Sequence, residues 1–120
     1  LEEALAGWQG SEASLLFGSG YAAATGTIAA LAGRGDYVVV DRLVHACCID
    51  GVRLGGATLR VFRHNDPDHL DHVLRRVCRA GRRVLVVTEA VFSMDGDTAP
   101  LEAIVDVKDR HGAWLMLDEA

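Results

Sequence analysis

Lysine is nearly missing from this chain. All but one of its 12 basic residues are arginine, and the exception, Lys108, lies mid-helix in VDVKDRHG among residues that read as a solvated face. A reaction that needs a lysine at the end of a strand finds no candidate in Lys108. The basic residues form no stripe, and 17 acidic ones bring the net charge to −5, which excludes the electrostatic footprint of a nucleic-acid partner. No apolar run approaches the roughly 20 residues of a membrane span, and no charged-then-apolar leader opens the chain. Cysteine is sparse and badly spaced for cross-linking. Adjacent Cys47 and Cys48, with Cys78, offer neither zinc-ligand spacing nor an ordinary disulfide pair, and read as buried reduced thiols of a cytoplasmic protein.

What is present suits one compact domain. Half of the 120 residues are apolar, enough for a core but few for a whole enzyme. LEEALAGWQG reads as an amphipathic helix already under way. Strand and helix signals then alternate. ASLLFGSG is a short apolar strand, YAAATGTIAALAG a small-residue helix ending at Gly33, and DYVVVD a β-branched strand. HACCIDGVRLGG is a helix with a Gly-Gly stop, and ATLRVFRH a strand. DPDHLDHVLRRVCRAG has the charge polarity of a helix, RRVLVVTEA is a strand, VFSMDGDTAP a loop, LEAIVDVKDRHG a helix and AWLMLDEA a last strand. Alternation of this kind predicts an α/β fold of three layers, a mostly parallel sheet with helices on both faces. Continuous apolar strands imply burial on both faces. Ligands of such sheets sit at the carboxyl ends of the strands, so the polar residues there carry the functional question.

Gly18, Ser19 and Gly20 lie between a strand and a helix start, where unpaired backbone N–H groups suit an anion such as phosphate, or where the glycines serve only a tight turn. The same stretch fits the relaxed pattern G-x-G-x-x-[GA], with Asp41 about 20 residues on, as in a nicotinamide-dinucleotide site. His45 follows the next strand and offers a flat imidazole on the ligand side. Glu89 ends another strand, Ser93 offers a hydroxyl, and Asp95-Gly96-Asp97 reads as a turn rather than a calcium loop. No G-x-S-x-G frame surrounds Ser93, which argues against a hydrolase nucleophile. Asp118 closes a strand that looks buried; there a carboxylate costs several kcal/mol unless paired. A protonated ring nitrogen is a fitting partner, and a strand-end cap facing solvent is the plain alternative. Glu119 is expected to face away.

Taken with SGYAA, DRLVHACCIDG, RHND, VVTEAVFSMDGDTAPL and HGAWLMLDEA, these residues resemble the α-oxoamine synthase family of pyridoxal-phosphate enzymes, relatives of the class I/II aminotransferases. The resemblance runs along essentially the whole chain. It implies pyridoxal 5'-phosphate as cofactor and an acyltransferase that condenses an amino acid with an acyl-CoA or acyl-carrier thioester, with decarboxylation. L-alanine and a pimeloyl thioester, as in biotin synthesis, are the implied pair. By position, Gly20 and Tyr21 match the turn that holds the cofactor phosphate, and His45 the histidine that stacks on the ring and helps order the substrate. Ser93 matches the residue near the phenolic oxygen, Asp118 the partner of the pyridine nitrogen, and Glu89 an acid lining the site. Where the family often has Asn, this chain has Ala24. The resemblance further implies a homodimer, with residues 1–120 forming part of the cofactor-binding large domain. Both ends read as cut, and the Schiff-base lysine is expected beyond Ala120.

Overall fold

The two valine-rich segments that give the strongest β signal form the centre of the sheet. In the computed structural model, which describes residues 1–79 and 81–120, they are β1 (Tyr37–Asp41) and β3 (Val84–Glu89), hydrogen-bonded to each other in parallel with Val39 opposite Val86. β2 (Thr58–Phe62) flanks β1 and β4 (Trp114–Asp118) flanks β3, so the parallel order is β2-β1-β3-β4. Alternation of side chains sends Val38, Val40, Leu85 and Val87 to one face and Val39, Val84 and Val86 to the other. The first set packs against α2 (Gly20–Leu31) and α3 (Ala46–Gly55). The second packs against α4 (Pro67–Val77) and α5 (Leu101–Arg110). Helices on both faces complete the predicted three-layer α/β architecture, and each fully buried Val or Leu contributes about 1.5–3 kcal/mol.

Burial differs between strands. Every residue of β3 is buried, but β2 and β4 are largely exposed or half-buried, against the expectation of uniformly covered strands. The reason is position: each pairs with one neighbour only among the described residues. A second expectation also fails. ASLLFGSG forms no strand; its backbone and side chains turn instead to the preceding helix, α1 (Glu2–Gln9). The Leu16 N–H donates to Glu2 Oε1 at 2.8 Å and Ser14 Oγ to the Glu2 carbonyl at 2.6 Å, leaving Leu15 and Leu16 exposed. An apolar run without a neighbouring ladder has nothing to make it a strand.

α3 docks on α2 through two glycines one turn apart. Cβ atoms placed on Gly51 and Gly55 would stand 3.0 Å from Ile28 Cβ and 2.4 Å from the Ala32 carbonyl oxygen respectively, so the helices meet at backbone contact. Gly55 is therefore a packing residue, while Gly56 (φ 80°) is the left-handed cap that stops the helix. α4 starts as its sequence suggests. Asp66 caps it by accepting the His69 N–H at 2.8 Å, Pro67 opens the first turn, and Arg75 and Arg76 occupy the last. It ends at Val77, short of the predicted CRAG terminus, of which Ala80 lies outside the described residues. Among the described residues no helix is long and apolar enough to cross a membrane.

Candidate functional site at the carboxyl ends of the strands

A cleft of about 510 Å³ opens where β3 and β4 end and α2 and α3 begin. Gly20, Tyr21, His45, Glu89, Ser93 and Asp118, singled out from separate segments of sequence, all border it. Parallel strands bring this about: each feeds its following loop to the same edge of the sheet.

The start of α2 forms one wall. Ser19 caps the helix, its hydroxyl accepting the Ala22 N–H at 3.1 Å and its carbonyl the Ala23 N–H at 3.0 Å. The amides of Gly20 and Tyr21 have no acceptor among the described residues, as the first turn of a helix predicts. The Tyr21 hydroxyl donates to Asp50 Oδ2 at 3.1 Å and so ties α2 to α3.

His45 is the cap of α3. Its Nδ1 accepts the Cys47 N–H at 3.2 Å, which in this tautomer leaves the proton on Nε2, and the ring is exposed to the cleft. Its backbone N–H donates to Glu89 Oε1 at 2.6 Å. Glu89 thus acquires a definite local role: from the end of β3 it holds the residue that starts α3. Glu89 and Asp118 are register partners on neighbouring strands, so two carboxylates stand side by side at the base of the cleft. Asp118 Oδ1 accepts the Ala120 N–H at 2.9 Å, and among the described residues no Lys or Arg lines the cleft to pair with the other oxygen. Asp118 thus acts as a strand-end cap, as the plain alternative expects, while half-buried and bordering the cavity. Glu119 also borders the cleft, contrary to expectation, because the strand ends at Asp118 and alternation ends with it.

The Cys48 and Cys78 thiols are raised in pKa by burial, which keeps both protonated. Burial, with neighbouring Cys47 and more distant Asp118 and Glu89, pushes the Cys48 thiol up to about 12, and all three cysteines are free. Lys108 does not border the cleft; it is half-buried on α5 and paired with Asp109 at 2.6 Å. Thr27 on α2 and Cys47 line the cavity as well, and no local pattern in the sequence distinguishes them.

Asp41 is not available to a ribose. It is fully buried, Oδ1 accepting from the Leu43 N–H at 2.8 Å and lying 2.9 Å from His64 Nδ1, while Oδ2 accepts the Asn65 N–H at 2.9 Å. With both oxygens engaged, and no strand formed ahead of Gly18, the dinucleotide reading loses both of its supports. His64 and Asn65, together with Asp97, form a polar network that residue-by-residue inspection passed over, although RHND contained two of its members.

The profile of one family, aminotransferase class I and II, matches residues 1–120. The chain belongs to that family. Its relatives put it among the α-oxoamine synthases. It is 55% identical to 8-amino-7-oxononanoate synthase of Alkalilimnicola ehrlichii and 54% identical to that of Trichlorobacter lovleyi, in each case over 100% of the chain and 30% of the relative. Among solved structures, serine palmitoyltransferase of Sphingomonas wittichii superposes with a TM-score of 0.95 at 45% identity, over 99% of the chain and 30% of that protein. 8-Amino-7-oxononanoate synthase of Francisella tularensis superposes at 0.81 and 26%, covering 99% and 33%. The chain spans about a third of the length of these relatives.

Proposed function

We propose that residues 1–120 form part of the cofactor-binding domain of a pyridoxal-phosphate-dependent acyltransferase. The observation that carries this reading is the meeting of unpaired helix amides, an exposed imidazole and a carboxylate free of basic neighbours around one cleft. The donor set fits the cofactor. A Cβ at Gly20 would meet nothing within 4 Å, and its φ is helical, so neither protein packing nor backbone strain accounts for glycine there; close approach of a phosphate does. The carboxylates of Glu89, Asp118 and Glu119 suit a protonated ring nitrogen far better than a second anion.

When bound, pyridoxal phosphate supplies an electron sink for the pair released at an amino acid's α-carbon. Asp118 would pair with the protonated pyridine nitrogen. His45, exposed at the cleft with Nδ1 engaged by Cys47, would stand against the cofactor ring and the incoming substrate, and Glu89 keeps that residue in place by accepting its backbone N–H. Gly20 and Tyr21 would hold the phosphate through their free amides, and Ser93 would offer its hydroxyl to the phenolic oxygen. Lys108, paired with Asp109 and away from the cleft, would not anchor the cofactor.

For the whole protein we propose condensation of L-alanine with a pimeloyl thioester, the 8-amino-7-oxononanoate synthase reaction of biotin synthesis, in a cytoplasmic homodimer. The identities of 55% and 54% support it. Exposed apolar residues at Trp8, Leu15 and Leu16 support a covering surface from the rest of the protein or a second copy. Serine palmitoyltransferase is the second reading, favoured by the TM-score of 0.95. The test is CoA release by the full-length protein reconstituted with pyridoxal phosphate. Release with L-alanine and pimeloyl-CoA supports the first reading, release with L-serine and palmitoyl-CoA the second, and no cofactor binding at all overturns both.

A further inference from the structure

The Asp41–His64–Asp97 chain lies outside the cleft lining, yet it grips the loop that carries Ser93. We propose that His64 is a positioning residue: by bridging buried Asp41 to Asp97 it latches the loop of residues 92–98 and so sets where Ser93 sits at the cleft. The functional half of this inference rests on the reading of Ser93 as a cofactor contact; the latch itself does not.

One end of the bridge is fixed. Asp41 closes the central strand β1, has no exposure, and takes bonds from Leu43, His64 and Asn65. The other end is on the loop. His64 Nε2 lies 2.6 Å from Asp97 Oδ2, and Asn65 Nδ2 donates to that oxygen and to the Thr98 carbonyl, both at 3.1 Å. Asp97 in turn closes the loop, since its carbonyl accepts the Phe92 N–H at 2.9 Å, and Gly96 N–H bonds back to the Phe92 carbonyl at 2.7 Å. Phe92 is buried and meets the His64 ring edge-on at 4.4 Å. Ser93, Met94 and Asp95, between these anchors, are exposed and make no side-chain hydrogen bond among the described residues. Ser93 is held only through its loop neighbours Phe92 and Asp97, and His64 touches both, with Asn65 and the Val91–Thr98 bridge holding the same loop beside it.

Only a ring with protons on both nitrogens donates to both carboxylates. The groups facing it are Asp41 from β1 and Asp97 and Asp95 from the loop, with the Asp95 carboxylate within 4.8 Å, while Arg63 on its own segment is paired with Asp66 at 2.9 Å. Burial works against charge on His64, but the bonds to Asp41 and Asp97 outweigh it and the pKa is raised. The sign follows. A histidine with a raised folded-state pKa contributes fully below its unfolded value of about 6.5 and loses that contribution as pH rises through the folded value, so the latch loosens on the alkaline side.

The experiment is amide hydrogen exchange on the full-length holoprotein, comparing wild type with His64→Gln and Asp97→Asn, together with titration of the apoprotein with pyridoxal phosphate against pH. Exchange at residues 92–98 should quicken by about tenfold in either variant, the factor for one charge-assisted bond, with β1 and β3 unaltered. Cofactor affinity should fall, lose its alkaline limb in His64→Gln, and respond no further to His64→Gln once Ser93 is alanine. Asp97→Asn keeps the buried Asp41–His64 bond and serves where His64→Gln does not fold. Exchange at 92–98 unchanged in the variants that fold overturns the latch, whatever the cofactor does. Faster exchange with unmoved affinity upholds the latch and tells instead against the cofactor role of Ser93.

Discussion

Replacing Gly55 with alanine should destabilise this protein although alanine is the better helix former. The added methyl would stand 2.4 Å from the carbonyl oxygen of Ala32, the residue that caps α2, and 3.0 Å from Ala29 Cα within it, both backbone atoms, so no side-chain rotation relieves the clash. Restoring ordinary contact distances requires the helices to separate by about 1 Å, and overpacking of this kind costs about 1–3 kcal/mol. The helix-propensity gain of up to about 1 kcal/mol offsets part of it, leaving a net loss of up to about 2 kcal/mol. Gly7 in α1 supplies the control, because a Cβ there meets nothing within 4 Å and its substitution should stabilise by about 0.5–1 kcal/mol. Urea midpoints of the full-length protein measure both. α3 also starts at His45, so Gly55→Ala should weaken cofactor binding while Gly7→Ala leaves it alone. A Gly55→Ala midpoint raised as much as that of Gly7→Ala would refute the backbone contact between α2 and α3.

Other predictions concern single groups. Asp71 ties α4 to the end of α5 through His111 Nε2 at 2.7 Å and pairs within α4 with Arg75 at 2.6 Å, and the His111 bond, helped by Arg75 and Arg110, holds its pKa below the ordinary value of 3.8. Its contribution is complete above that value and vanishes as pH falls through the lower folded-state value, so the melting-temperature gap between wild type and Asp71→Asn should close in acid; a gap that widens in acid contradicts the assignment. Thr88 Oγ1 is buried without a hydrogen-bond partner among the described residues, and Thr88→Val should therefore stabilise by about 1 kcal/mol in a thermal melt. A comparable loss would reveal a bound partner for the hydroxyl. Glu89→Gln keeps an acceptor for the His45 N–H and Glu89→Ala does not, so cofactor affinity by fluorescence titration should fall about tenfold more in the alanine variant. Equal losses would assign Glu89 to something other than holding His45.

How much of this was legible depended on whether the signal was local. The valine runs, the Asp66-Pro67 start of α4 and the position of each loop after a strand follow from spacing alone, and they place His45, Glu89, Ser93 and Asp118 on one edge of the sheet, whereas Gly20 reaches that edge with no strand before it. ASLLFGSG misled because an apolar run says nothing of whether a ladder partner is within reach. Gly51 and Gly55 carried a readable i, i+4 spacing, but the Gly55-Gly56 pair drew attention as a stop and hid the contact with Ala29 and Ala32. Asp41 looked like a ribose acid by its distance from the glycine turn. Its engagement by His64 and Asn65 depends on β2 lying beside β1, a non-local fact. Glu119 failed for a simpler reason: the two-residue alternation holds only as long as the strand does.

The central claim is that this cleft binds pyridoxal phosphate with Asp118 on the ring nitrogen, and titration of the full-length apoprotein tests it most directly. Pyridoxal phosphate is added to wild type and to Asp118→Asn while the visible absorption band is followed. The account predicts a band for wild type, and for Asp118→Asn a shifted band with affinity at least tenfold weaker, the loss of one charge-assisted hydrogen bond of about 1.5–3 kcal/mol. A wild-type protein that takes up no cofactor, or an asparagine variant that binds it as tightly and with the same spectrum, would contradict it.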